Sequence, residues 1–138
     1  MRIVIGEGSC GIAAGAHKVY EAIEKLGIKP DVTGCIGMCF LEPIVDIYGE
    51  NGELVRRLVR VTAGDAEKIV TAVKNGELSL LDSITISADD SAFLEKQTRI
   101  ALRNCGVIDP TDIDAYISRG GYSALGKVLK MTPEQVID

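Results

Sequence analysis

Cys35 and Cys39, four positions apart and flanked by Gly34 and Gly37, are the residues of this chain best suited to hold a metal or pass electrons. Glycines beside thiolates let backbone amides approach and hydrogen-bond the sulfurs, which tunes a bound centre. Cys10 sits in a second glycine-rich turn, Gly6-Glu-Gly-Ser-Cys-Gly11, while Cys105 stands alone far downstream. Thiols placed so unevenly point to metal binding or redox chemistry rather than a disulfide framework. Structural zinc prefers four ligands and Cys-x-x-Cys spacing. A thiol–disulfide enzyme normally carries Cys-x-x-Cys beside a helix. Spacing makes structural zinc and a thiol–disulfide enzyme the lesser readings; a metal or iron–sulfur centre and a docking domain without a cluster both stay open.

Other residues carry less. The run Gly6–Gly11 lacks both the Gly-x-Gly-x-x-Gly order and the lysine of a phosphate-binding loop. His17 lies about two helical turns beyond Cys10, roughly 10 Å along a helix axis, too far to join it. Cys105 reads as a buried inert thiol. Met38, Phe40 and Leu41, beside Cys39, are either core or the apolar rim of a docking face.

These residues need elements to position them. Arg2–Gly6 reads as a short buried strand ending in the first glycine-rich turn. Apolar residues at Ala13, Ala16, Val19, Tyr20, Ile23 and Leu26 predict one amphipathic helix, stopped by Gly27 and Pro30. A brief strand over 31–33 leads into the Cys35–Cys39 loop. Two strand-like runs, 44–48 and 53–61, flank an Asn-Gly turn and predict a hairpin. Thr62 and Asp65 have capping-box form and open a helix that ends at Asn75-Gly76. Strand, helix, strand, hairpin and helix in this order make an α/β, thioredoxin-like arrangement, with a right-handed first crossover. Residues 77–92 lose periodicity and read as a solvated linker. Helical signals return over 93–104, after Asp109-Pro110, and over 122–130, with a break at Gly120-Gly121. Thr132-Pro-Glu-Gln135 is a full capping box only three residues from Asp138. A start signal without room for a helix leads us to expect that the polypeptide, or a bound partner, continues there.

Composition narrows the function classes. Of 138 residues 46% are apolar, enough for a core, and there is no Trp, with two Phe and four Tyr, which argues against base-stacking platforms. The net charge is −5 and no Lys/Arg run exceeds Arg56-Arg57, so nucleic acid is not an expected partner. No apolar stretch reaches about 18 residues, and no signal peptide precedes the first strand. We expect a cytoplasmic chain without membrane insertion.

Gly8-Ser-Cys-Gly-Ile-Ala-Ala-Gly-Ala16, together with Thr33-Gly-Cys-Ile-Gly-Met-Cys-Phe-Leu-Glu-Pro43, resembles the thioredoxin-like [2Fe–2S] ferredoxins, over residues 1–76. Residues 99–110, Gly121–Leu125 and Met131–Ile137 resemble the lead-in of the NADH-oxidising flavin subunit of NADH dehydrogenases and NAD-linked hydrogenases. The resemblance implies a ferredoxin domain (1–76), a linker (77–92) and a helical lead-in (93–138), stopping before the flavin core. It implies a [2Fe–2S] cluster on Cys10, Cys35 and Cys39, with Gly34 and Gly37 shaping the pocket. FMN and NADH would belong to the downstream core, and hydride transfer with them. Partners would be that flavin core, in the same or a separate chain, and other iron–sulfur subunits. The family uses four cysteines, and Met1–Ser9 has none. The fourth ligand is left open between Ser9, Glu7, a cysteine from elsewhere, or nothing.

Overall fold

In the computed structural model, which describes residues Met1–Asp138, strand β1 (Arg2–Gly6) runs parallel to β2 (Asp31–Thr33). The crossover between them holds helices α1 (Ser9–Ala14) and α2 (Ala16–Lys25). Strands β3 (Val45–Tyr48) and β4 (Leu54–Leu58) form the hairpin, and β3 pairs antiparallel with β1. The sheet order is β2-β1-β3-β4. Helix α3 (Ala66–Asn75) packs back beside α2.

Period-two alternation explains what each face buries. Ile3, Ile5, Val45, Ile47 and Leu58 turn to one side and pack with Val19 and Ile23 of α2 and Ile69 and Val70 of α3 in one core. Arg2, Val4, Asp46, Tyr48 and Arg57 turn to the other. There Asp46 and Arg57 stand opposite each other in register and form a two-pronged ion pair, both contacts 2.7 Å. This second face is covered by residues 104–109, whose backbone accepts from the Thr33 hydroxyl at Ile108 (2.8 Å) and from the Tyr48 hydroxyl at Gly106 (3.3 Å). Cover on both sides is why β1 is almost wholly buried.

The end signals read from the sequence act as expected around α3. The Asp65 carboxylate accepts from the Thr62 N–H at 2.8 Å, and Gly76 closes the helix in the left-handed region. The first helix differs: Gly15, at φ +104°, ends α1 and starts α2, so one predicted helix is two. The first part of the 77–92 stretch packs against the sheet and α3. Leu78–Ile84 is a 3-10 helix whose Leu81 is 0% exposed within the main core. Thr85 bridges Leu58, with Val59 N–H donating to Ile84 and Ile86 N–H to Arg57, so this stretch lengthens the sheet edge. A 3-10 turn buries one residue per turn without a 3.6 period, which hides it from a periodicity reading.

Beyond it come α4 (Ala88–Glu95), α5 (Ile113–Ser118), α6 (Ser123–Val128) and α7 (Pro133–Ile137). The helix expected over 93–104 is instead α4, capped by Ser87, followed by turns. The helix expected after Asp109-Pro110 begins later, because Asp112 caps it through the N–H groups of Asp114 and Ala115. The 132–135 capping box forms, with Thr132 N–H donating to Gln135 at 2.9 Å.

Candidate metal centre

At the end of the sheet where β1 and β2 stop, two loops meet. The first leaves β1 at Gly6 and enters α1, which carries Cys10 in its first turn. The second follows β2 and carries Cys35 and Cys39. Two glycines let the loops close on each other. A Cβ on Gly8 would stand 2.9 Å from the Cys35 backbone nitrogen and Cβ, and one on Gly11 would collide with the Gly6 carbonyl oxygen. Side chains there would push α1 off the strand and carry Cys10 away from the second loop.

The sulfurs of Cys10, Cys35 and Cys39 lie within 4.8 Å of one another. Cys35 Sγ and Cys39 Sγ are 3.5 Å apart, and the Gly37 N–H donates to Cys35 Sγ at 3.2 Å. Gly37 has φ +91°, a conformation that turns this amide inward and that L side chains resist. Gly34, which opens the loop, has empty space where a Cβ would be. Beneath the loop Ile36, Met38, Leu41, Ile44 and Val59 form a second small core, joined by Ile86 and Leu94. Met38 (1% exposed) and Leu41 are thus core, and only Phe40, 61% exposed, is placed as a rim.

Burial, reinforced by the Cys35 and Cys39 sulfurs and by Glu42, pushes the Cys10 thiol up to about 12. Any metal taken up here must displace that proton. Three soft sulfur donors and an inward amide suit an iron–sulfur centre, which thiolates hold and N–H donors tune.

The other candidates lie elsewhere. Glu7 meets His17 Nδ1 at 3.1 Å, and the His17 ring stacks on Tyr20. Ser9 is exposed. Cys105 lies in the covering segment, its carbonyl accepting from Arg99, and outside the thiol trio. The residue that sequence reasoning passed over is Glu42. Only 8% exposed, it receives the Ile44 N–H on Oε2 (2.8 Å) and stands 3.7 Å from Cys10 Sγ through Oε1. Burial raises its pKa, against the lowering effect of the Ile44 amide. The available signal was an acid set in the apolar run Phe40–Ile47.

No model of a known protein family matches the chain. Among curated proteins, the NADP-reducing hydrogenase subunit HndC of Solidesulfovibrio fructosivorans is 61% identical over 44 residues, 32% of this chain and 9% of that protein. The chain therefore matches less than a tenth of that relative's length. Among solved structures, the thioredoxin-like [2Fe-2S] ferredoxin from Aquifex aeolicus superposes with a TM-score of 0.50 at 19% identity, covering 62% of this chain and 95% of that one. A Cys-to-Ser variant of the same ferredoxin gives 0.51 at 18% identity, covering 62% and 97%. The chain has the thioredoxin-like ferredoxin fold, and its three-thiol group fits a [2Fe–2S] cluster.

Proposed function

We propose that this chain is an electron-transfer module holding a [2Fe–2S] centre on Cys10, Cys35 and Cys39 within an NADH-linked, flavin-containing oxidoreductase of hydrogenase or NADH dehydrogenase type. The observation that carries this reading is the meeting of three thiols within 4.8 Å at one end of a ferredoxin fold. When bound, the cluster supplies a one-electron couple. The protein's residues do the rest. Three sulfurs ligate, and the Gly37 N–H stabilises negative charge on Cys35 Sγ. Gly34 and Gly37 shape the loop around the centre. Ile36, Met38 and Leu41 keep water from its underside, while exposed Cys39 and Phe40 leave one edge open to a redox partner.

The name of the relative, a subunit of an NADP-reducing hydrogenase, supports partner subunits for this chain too. We assign it a flavin core, with FMN and NADH bound there, and neighbouring iron–sulfur subunits. The division into ferredoxin domain, connecting segment and helical lead-in belongs to the same proposal. A second reading, a clusterless docking module, is favoured by one observation: cysteine supplies only three donors here.

Iron and acid-labile sulfide, measured on the anaerobically reconstituted chain, separate the two. About two of each per chain, with visible thiolate-to-iron bands that Cys35→Ser abolishes, support the electron-transfer reading. Neither iron nor sulfide after reconstitution would replace it with the docking reading.

A further inference from the structure

We propose that the Glu42 carboxylate is the fourth ligand of the centre, so that Cys10 and Glu42 share one iron while Cys35 and Cys39 share the other. The inference rests on the cluster reading above. Four observations support it.

The first is spacing. Ligands on a tetrahedral ion with metal–thiolate bonds of about 2.3 Å stand roughly 3.7 Å apart. The chain offers two such pairs, Cys35 with Cys39 at 3.5 Å and Cys10 with Glu42 at 3.7 Å. The second is burial without a counter-charge. Glu42 is more than nine-tenths buried, yet none of the ion pairs in the structure includes it. One oxygen is satisfied by the Ile44 amide, and the other faces only the Cys10 thiol. A buried carboxylate with no cation is costly, and a cationic iron at this place removes the cost.

The third is position. A Cβ on Gly6 would stand 3.4 and 3.5 Å from the two Glu42 oxygens. Glu42 thus occupies the space into which a first-loop side chain at Gly6 would reach. The fourth is charge. A carboxylate replaces a thiolate at equal charge, so the centre keeps the net charge of a four-thiolate cluster. A Ser9 hydroxyl would need to lose a far less acidic proton, and a neutral imidazole would change the charge. Glu7 is taken by His17, and Asp46 is locked to Arg57.

The test uses the full chain, reconstituted anaerobically with iron and sulfide, as the parent, Glu42→Gln, and the double variant Gly6→Cys with Glu42→Ala. Gln keeps an acceptor for the Ile44 amide but removes the anionic ligand. We expect the parent to hold the cluster, and Glu42→Gln, folded by circular dichroism, to lose iron to a chelator at least about tenfold faster. The double variant regains retention, with its visible bands and the electron paramagnetic resonance g-values of its reduced form moved from the parent's. Unchanged release and unchanged g-values in Glu42→Gln would overturn the assignment while leaving the cluster reading intact. Should Glu42→Gln not fold, the double variant decides alone: shifted g-values support Glu42 as ligand, and parent-like g-values overturn it. A parent chain that takes up no iron and sulfide, or a single zinc without sulfide, sinks the cluster reading itself and this inference with it.

Discussion

Residues 1–86 and residues 88–138 are built on different principles. The first stretch holds both apolar cores, and no hydrophobic residue after Leu81 is buried. The second is four short helices of five to eight residues, with Phe93, Ile113, Ile117, Leu129 and Ile137 all exposed. Helices so short do not hold themselves by hydrogen bonding alone. Their order comes from caps, such as Asp112 and Thr132, and from the covering segment at 104–109. The ferredoxin-like part is therefore stabilised from within, and the C-terminal part carries an apolar surface that its own fold does not consume.

The largest effect expected from this contrast lies in the first region. Asp46, 3% exposed, is paired through both oxygens with Arg57. Asp46→Asn leaves the guanidinium without its counter-charge and should cost about 3–5 kcal/mol. Denaturant unfolding of the apo chain measures it. A loss below about 1 kcal/mol would mean that water reaches this face despite the 104–109 cover.

Next comes a matched pair of truncations. Ile69→Ala opens a cavity between α3 and the sheet and should cost about 2–5 kcal/mol. Leu129→Ala, in the exposed C-terminal part, should change stability by no more than about 0.5 kcal/mol. Equal losses at the two sites would break the comparison, because they would require a core that includes α6.

The same contrast decides what was legible in the sequence. In the first region local and tertiary signals agree. The alternation in β1 and β3, the Thr62–Asp65 cap and the left-handed Gly76 each specify an element that the packing then uses. Cys35 and Cys39 announce themselves by spacing, and Cys10 by its glycine-rich turn. Leu81 did not, because Leu78, Leu81 and Ile84 recur at the three-residue period of a 3-10 helix, not at the 3.6 or 2 sought for helices and strands. Gly15 did not, because the apolar spacing runs on across it. Glu42 was hidden for a different reason: an acid becomes a candidate ligand only when the fold buries it, and its burial depends on the second loop closing over Gly6 and Gly11. In the second region the helix expected over 93–104 does not run on past α4: Ile100 and Leu102 are exposed, and the chain turns instead.

The smallest effect tests the seam between the two regions. The Tyr48 hydroxyl donates to the Gly106 carbonyl at 3.3 Å, and burial, aided by the Asp46 charge, raises its pKa above the ordinary value of 10.0. A phenol whose folded pKa is raised contributes stability that is whole below its unfolded pKa and is lost as pH climbs through the folded value. Tyr48→Phe removes both the hydrogen bond and this titration. At neutral pH the variant should be less stable by about 1 kcal/mol. That gap should change as pH passes above about 10, since only the parent then loses the contribution of the neutral phenol. Unfolding free energies of parent and variant, compared at neutral and alkaline pH, give the answer. A gap that stays constant through the alkaline range would mean that Tyr48 is reached by solvent, and that 104–109 touches the sheet without sealing it.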